Sequence, residues 1–399
     1  MRVHHMPGHG PPFDEREYRS RLQRTKDRMA EAGIDVLFCS DPSNMNYLSG
    51  YDGWSFYVHQ GLIVSREHDQ PVWVGRDMDA KGARVTTWLD DDHVRAYGDD
   101  HVHSPVDKHP MDFVAGVVED MGLADRTLGV EMDAYYYTAR THQRLQDNLP
   151  EADFVDADLL VNWVRCVKSD AELEYMEQAA KISEAAMQAG IDTIGEGVTE
   201  ADAAAEIYHT LVDGVEAFGG DYPSIVPLMP SGDNTGTPHL TWTDREFQQG
   251  DPVIIELAGC RHRYHSPLAR TTYVGGAPDD VQETADIVVE GLNAVLDTAE
   301  PGVTAETVER AWRDVISSYG IEKAERIGYS MGLGYPPDWG EHTASLRPKD
   351  ETVLEENMTF HVIPGLWFDD YGVEISESFK VTSNGCETLA DFPRQLFTS

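Results

Sequence analysis

A carboxylate set in the middle of an apolar strand is the first residue whose chemistry needs an explanation. Glu256 lies in Val253-Ile-Ile-Glu-Leu-Ala258. A glutamate in such a run must be paired or functional, because an ionised carboxylate is rarely buried without a partner. His239 directly follows Pro238 and by position alone is an ordinary surface or hydrogen-bonded imidazole. His262 and His265, in Arg261-His-Arg-Tyr-His265, have the spacing of a ligand pair, but the stretch is polar and reads better as a solvated hairpin. Arg270 and Arg347 could each clamp a substrate carboxylate, and Arg270 could equally serve a structural ion pair. Trp54, Tyr329, Tyr335, Trp339, Trp367 and Phe368 are core candidates singly, and each has a face that attracts a cation. Cys39, Cys166, Cys260 and Cys386 show no CxxC spacing and read as isolated reduced thiols of a cytosolic protein.

The charge sets limits on partners. With 71 acidic against 31 basic residues the formal charge is −40, which argues against nucleic acid, because phosphate contacts need a basic face. The carboxylates are spread along the whole chain and are not gathered in a tail, so they read as a solvated acidic surface. Such a surface suits a cytoplasm of raised ionic strength, where screening weakens self-repulsion, and points to a salt-tolerant source. No run of apolar residues is long enough to span a bilayer. Met1-Arg-Val-His-His-Met-Pro7 lacks the apolar stretch of a signal peptide, so a cytoplasmic location is expected.

The elements that must position these residues fall into two domains, expected at 1–165 and 166–399. In the first, 16–32 has the period of a charged amphipathic helix and Ile34-Asp-Val-Leu-Phe-Cys39 that of a short strand. Asp41-Pro-Ser-Asn-Met-Asn-Tyr-Leu-Ser-Gly50 carries turn chemistry leading to an aromatic loop at 51–57, and 61–65 and 71–75 read as paired strands. In the second, Ser169 with Glu172 forms a capping box ahead of a long helix. Gly-Val-Thr followed by a helix occurs at Gly197 and again at Gly302, which suggests an internally repeated half-domain. Strands are expected at 253–257, 270–274, 359–363 and 378–382.

Taken in order, these stretches resemble the family of aminopeptidase P, prolidase, methionine aminopeptidase and creatinase. The residues that carry the likeness are Asp41-Pro-Ser-Asn-Met-Asn-Tyr-Leu-Ser-Gly, Arg165-Cys-Val-Lys-Ser-Asp-Ala-Glu-Leu-Glu-Tyr-Met, and Pro223-Ser-Ile-Val with Gly232-Asp-Asn and Pro238-His239. Gly250-Asp-Pro-Val-Ile-Ile, Ala269-Arg-Thr-Thr, Met358-Thr-Phe to Pro364-Gly, and Gly372-Val-Glu-Ile complete the series. The resemblance implies an α/β fold, with a creatinase-like N-terminal domain on a C-terminal pita-bread domain of duplicated α+β halves. It also implies a homodimer in which the 51–57 loop nears the neighbour's pocket.

The departures are as telling as the matches. Relatives that use metal hold two divalent ions with Asp, Asp, His, Glu and Glu. Here those positions fall on Glu256, Pro267, Tyr329, Ile363 and Ser376, the last becoming Glu377 if the register slips by one. Proline and isoleucine have no side-chain donor, so neither a metal nor another cofactor is expected. Creatinase, a metal-free member, hydrolyses an amidine-type C–N bond with a histidine and carboxylates, and His239 and Glu256 stand at matching places. The resemblance adds Glu377, Glu341, Tyr329, Trp54, Trp339, Arg270 and Arg347 as substrate-binding candidates. The run Gly328-Tyr-Ser-Met-Gly-Leu-Gly-Tyr-Pro-Pro-Asp-Trp-Gly-Glu341 is similar to the ectoine-hydrolysing branch, which opens a cyclic amidine to an N-acetylated 2,4-diaminobutyrate. The substrate so implied is a small zwitterionic amidine, held by carboxylates and attacked either by water activated at His239 or by Glu256 itself. The rivals are another C–N hydrolase of the same fold, a non-catalytic pita-bread binding module, and a metal-dependent peptidase or lyase.

Overall fold

The computed structural model describes residues 10–102 and 108–399; the Met1 to Pro7 stretch read for a signal lies outside them. The chain divides into two units, Met1–Arg165 and Cys166–Ser399. Among the described residues no helix is long and apolar enough to cross a membrane.

In the first unit, α1 (Glu15–Glu31) starts where Asp14 accepts a hydrogen bond from Glu17 N, and it buries Tyr18, Leu22 and Met29. A six-stranded sheet is built from β1 (Val36–Cys39), β2 (Gly61–Ser65), β3 (Val72–Arg76), β4 (Val94–Tyr97), β5 (Thr127–Val130) and β6 (Asp153–Asp156), in the order β4-β3-β2-β1-β5-β6. Its apolar face packs Val36, Phe38, Ile63 and Val130 against Val114, Val117 and Val118 of α4 (Pro110–Asp120). The other helices are α2 (Pro42–Ser49), α3 (Asp77–Thr86), α5 (Ala139–Asn148) and α6 (Leu160–Cys166).

The 41–50 stretch departs from the expected turn. Asp41 caps α2 through Ser43 N and Asn44 N, Pro42 fits its first turn, and Gly50 ends it in the left-handed region at φ 81°. Turn-forming residues thus punctuate both ends of a short buried helix. Asn44 explains much of this signature, since its side chain donates to Glu131 (2.7 Å) and Asn162 (2.8 Å) and accepts from Arg165 Nε (3.0 Å).

The second unit opens with the Ser169 capping box of α7 (Asp170–Thr193), followed by α8 (Glu200–Asp213), β7 (Pro252–Arg261) and β8 (Tyr264–Tyr273). The pattern then repeats with α9 (Asp279–Thr298), α10 (Ala305–Ser318), β9 (Gly328–Tyr335) and β10 (Asp338–Leu346). The duplication extends to single hydrogen bonds. Gly197 N donates to Phe247 O and Phe247 N to Val198 O; Gly302 N donates to Leu354 O and Leu354 N to Val303 O. Both glycines have positive φ, 82° and 90°, before the caps Thr199 and Thr304. The remaining strands are β11 (Thr359–Val362), β12 (Gly365–Trp367), β13 (Gly372–Glu374), β14 (Glu377–Thr382), β15 (Gly385–Thr388) and β16 (Phe397–Thr398). The main sheet runs β15-β14-β11-β9-β8-β16, with β7 on β8 and β10 on β9. The glycine-rich 328–335 run, which has no strand-like composition, is nevertheless β9, held between β11 and β10.

Candidate active site

Alternation along β7 decides where Glu256 points. Val253, Ile255 and Leu257 enter the core formed with Ile182, Ala186 and Met187 of α7 and Ile207 of α8, so Glu256 lies on the opposite face. Directly paired residues of antiparallel strands share a face, which adds Pro267 (opposite Ala258), Ala269 (opposite Glu256) and Thr271 (opposite Ile254). Thr271 Oγ1 receives Glu374 N at 2.8 Å and donates to Glu374 O at 3.0 Å, tying the end of β13 to the same hairpin.

Two buried carboxylates result. Glu256 is 7% exposed, and burial, followed by the nearby Asp338 charge, pushes its pKa up to about 7. Glu374 is 4% exposed; burial and then the Glu256 charge hold it well above the usual carboxylate range, while Lys323 works in the other direction. Oε1 of Glu374 has no hydrogen-bond partner, and among the described residues no ion pair reaches either carboxylate. Lys323 donates to Gly365 O at 2.7 Å and lies 4.0 Å over the Trp367 ring. Its burial lowers its pKa to about 8. Asp338 is bonded to His342 Nε2 (3.1 Å) and to Gly340 N (2.9 Å), which keeps it ionised although burial opposes its charge.

Beside the carboxylates runs a chain of hydrogen bonds. Tyr329 and His361 are directly opposite on β9 and β11, with Tyr329 Oη 3.0 Å from His361 Nδ1. Trp339 Nε1 donates to the same phenol oxygen at 2.9 Å. His361 Nε2 is 2.9 Å from Ser376 Oγ, which accepts from Ala269 N at 2.7 Å. Burial and then the Arg270 charge drive the His361 pKa down to about 3, so the imidazole is neutral. Burial and then the Glu256 charge raise the Tyr329 pKa, so the phenol keeps its proton.

The expected site residues separate into three groups. Glu256, Tyr329 and Trp339 come together. Arg270, Glu377 and Glu341 do not join them. Arg270 pairs with Ile255 across the hairpin and therefore points to the helix-packed face, where it donates to Glu377 Oε1 (2.7 Å) and to the carbonyls of Ser376, Phe392 and Pro393. Glu377 pairs with Val362 on β11, one residue out of phase with His361, so Ser376 takes the face expected of one or the other. Glu341 is clamped by Lys168 Nζ at 2.8 Å from both oxygens, against Gly332, whose added Cβ would meet Glu341 Oε1 at 2.9 Å. All three charges, expected to contact substrate, are matched by partners inside the fold.

The third group is exposed. Arg347 lies beyond the end of β10, and Trp54 of the first unit is 59% exposed with its ring 4.9 Å from Phe56. His239 is exposed in a turn at φ 67° and, among the described residues, has no hydrogen-bond partner. The solvated-hairpin expectation fails for His265, which is fully buried and accepts from Ser224 N at 2.9 Å. Sequence reasoning passed over Glu374 and His361, although each interrupts an apolar strand just as Glu256 does.

The donor set does not fit a pair of metal ions. Of the positions Glu256, Pro267, Tyr329, Ile363 and Ser376, only the first is a carboxylate, and both nitrogens of the nearby His361 already face Tyr329 and Ser376. Among the described residues no three His, Cys, Asp or Glu side chains converge so as to hold an ion.

Comparison with known proteins agrees with this architecture. Residues 174–383 match the model of metallopeptidase family M24, and residues 21–167 match the creatinase/prolidase N-terminal domain. The chain is 46% identical to the ectoine hydrolase of Halomonas elongata over 97% of this chain and 98% of that one. It is 26% identical to the Xaa-Pro dipeptidase of Pyrococcus furiosus over 95% of this chain and 99% of that protein. Among solved structures, the X-Pro aminopeptidase of Thermotoga maritima superposes with a TM-score of 0.80 at 23% identity, covering 95% of this chain and 99% of its own.

Proposed function

We propose, from the premise that the chain belongs to metallopeptidase family M24 and carries the creatinase/prolidase N-terminal domain, that it is a hydrolase opening the cyclic amidine ring of ectoine without resident metal ions. The observation that carries this reading is the pair of buried carboxylates, Glu256 and Glu374, with no ion pair to either among the described residues. An amidinium is planar and cationic and brings N–H donors on both nitrogens, so it supplies what these carboxylates lack. Binding it in a poorly solvated site favours ionisation of both, which burial alone resists.

The chemistry then needs one water. Addition of oxygen at the amidinium carbon, either as water or as a Glu256 carboxylate oxygen later released by water, gives a tetrahedral carbon. The C–N bond breaks, the departing nitrogen takes a proton, and an N-acetylated 2,4-diaminobutyrate remains. Glu256 is the group beside that carbon. His239, exposed and without a hydrogen-bond partner among the described residues, suits a proton carrier. The substrate carboxylate requires a cation, and we assign that role to Arg326, whose guanidinium lies 4.8 Å over the Tyr329 ring.

The test compares ectoine, creatine and a Xaa-Pro dipeptide as substrates of protein treated exhaustively with chelator, with products followed by NMR. The expected result is ring-opened, acetylated diaminobutyrate from ectoine at an undiminished rate. Dipeptide cleavage restored by divalent ions, with ectoine untouched, would return the protein to the chemistry of its metal-dependent relatives.

A further inference from the structure

The hydrogen-bond chain beside Glu256 has a direction, and its direction follows from counting donors. Ser376 Oγ already accepts from Ala269 N at 2.7 Å, and the single other group bonded to it among the described residues is His361 Nε2 at 2.9 Å. A hydroxyl has one proton to donate, and a buried one rarely goes unused. The serine proton therefore goes to Nε2, which makes Nε2 the acceptor of a neutral imidazole and places the ring proton on Nδ1. That proton faces Tyr329 Oη at 3.0 Å. The indole of Trp339 is a donor only, and it faces the same oxygen at 2.9 Å. Tyr329 Oη thus receives two hydrogen bonds, and its own proton is left without an acceptor among the described residues. The Glu256 charge is felt at this phenol, which raises its proton affinity after burial has done so.

We infer that Tyr329 is a preorganised hydrogen-bond donor to the oxygen added at the amidine carbon, and that His361 is the positioning residue that reserves the Tyr329 proton for that task. The inference rests on the amidine-hydrolase reading and adds a catalytic group to it. In the opposite tautomer, Tyr329 would donate to Nδ1 and present only lone pairs to the site, repelling a developing oxyanion. Ser376 and Ala269 N therefore set the polarity of the site from two residues away. The arrangement uses two positions that hold metal ions in relatives, Tyr329 and Ser376, and links them through His361. A fixed dipole aimed at developing charge serves where a Lewis acid would otherwise act.

The tautomer can be read without substrate. In protein labelled with 15N-histidine, long-range 1H–15N correlations distinguish Nδ1–H from Nε2–H, and the His361 signal is assigned by its loss in His361→Gln. Nδ1–H is expected in the wild type, and an Nε2–H ring would overturn the inference whatever the substrate proves to be. For turnover, Tyr329→Phe should lose kcat by on the order of 10² to 10³ with KM nearly unchanged, the usual effect of removing one oxyanion donor. His361→Asn keeps an N–H near the Nδ1 position and should retain more kcat than His361→Gln, whose amide reaches toward Nε2; equal losses would assign His361 a purely structural role. A Tyr329→Phe enzyme within about threefold of wild type in kcat would remove the phenol from catalysis. Absence of ectoine turnover by the wild type, with Nδ1–H present, would sink the substrate reading and leave the tautomer standing.

Discussion

On one face of the β7–β8 hairpin Arg270 meets Glu377 at 2.7 Å and Arg394 adds a contact at 3.3 Å; on the other face Glu256 and Glu374 are also buried and have no ion pair among the described residues. Lys168 and Glu341 repeat the first arrangement at 2.8 Å. Burial opposes the charge on both Arg270 and Glu377, and the opposite charge of the partner works against that burial in each case. Glu256 and Glu374 instead meet further negative charge, Asp338 raising the proton affinity of Glu256 and Glu256 that of Glu374. Buried carboxylates of one residue type thus divide into those that complete the architecture and those kept short of a cation. A site that must attract a cationic ligand cannot supply that cation from its own side chains.

The sharpest way to break this comparison is charge removal with shape preserved. Glu256→Gln should lower kcat/KM for ectoine by on the order of 10³ or more, about 4 kcal/mol of transition-state stabilisation, and leave the fold intact. Near-normal turnover in steady-state assays would place the reacting carboxylate elsewhere. Arg270→Met is expected to act the opposite way, destabilising the fold by roughly 3–5 kcal/mol through an unmatched Glu377. Whatever folded fraction survives should keep its KM, as urea unfolding together with kinetics on the soluble enzyme will show. A specific rise in KM without lost stability would move Arg270 back among the substrate contacts.

A titration sharpens the same contrast. The Glu256 pKa is raised from 4.5 to about 7, so between those values the native state binds more protons than the unfolded chain. Stability from this group is therefore greatest below pH 4.5 and falls as pH rises to 7, by up to about 3 kcal/mol. The melting temperature of Glu256→Gln should accordingly gain on wild type across that window and hold its advantage above it. The carboxylate must be ionised to act, so kcat/KM should drop as pH falls below about 7. A constant difference in melting temperature from pH 4.5 to 8 would mean that the carboxylate is solvated.

Much of this contrast was legible in the sequence, but not the division into classes. Glu256 stood out because one charge interrupts Val253-Ile-Ile-Glu-Leu-Ala258, and strand alternation then fixes its face. Arg270, Glu341 and Glu377 were also singled out as substrate-binding candidates, yet their partners lie 107 residues (Arg270 to Glu377) and 173 residues (Lys168 to Glu341) apart in the chain. Only the pairing of strands reveals which charges meet. His361 was hidden for a related reason. Its meaning comes from Tyr329 across the β9–β11 ladder, and glycine-rich β9 had no strand-like composition to announce it. The duplication was readable from Gly197 and Gly302, because positive φ before a Thr cap is a local requirement.

Glu374 is where the comparison makes its finest distinction. Its backbone is fixed to Thr271, but its carboxylate Oε1 is buried without a hydrogen bond, and Lys323 exerts its attraction without forming an ion pair with it. If it belongs with Glu256, removing its charge should relieve repulsion in the empty site and weaken the grip on the amidinium. Glu374→Gln should then raise KM for ectoine about tenfold, a loss near 1.4 kcal/mol, while kcat stays within about threefold, because the reacting carbon lies beside Glu256. The melting temperature of the ligand-free protein should stay level or rise, most clearly above pH 7, where Glu256 is ionised and the repulsion is largest. If Glu374 belongs instead with Glu377 and Glu341, the same substitution should destabilise the fold as loss of a matched partner does, and KM should not change. Differential scanning calorimetry of the empty protein, read beside KM at pH 8, separates the two classes, because one predicts a raised KM with no loss of stability and the other a loss of stability with KM unchanged.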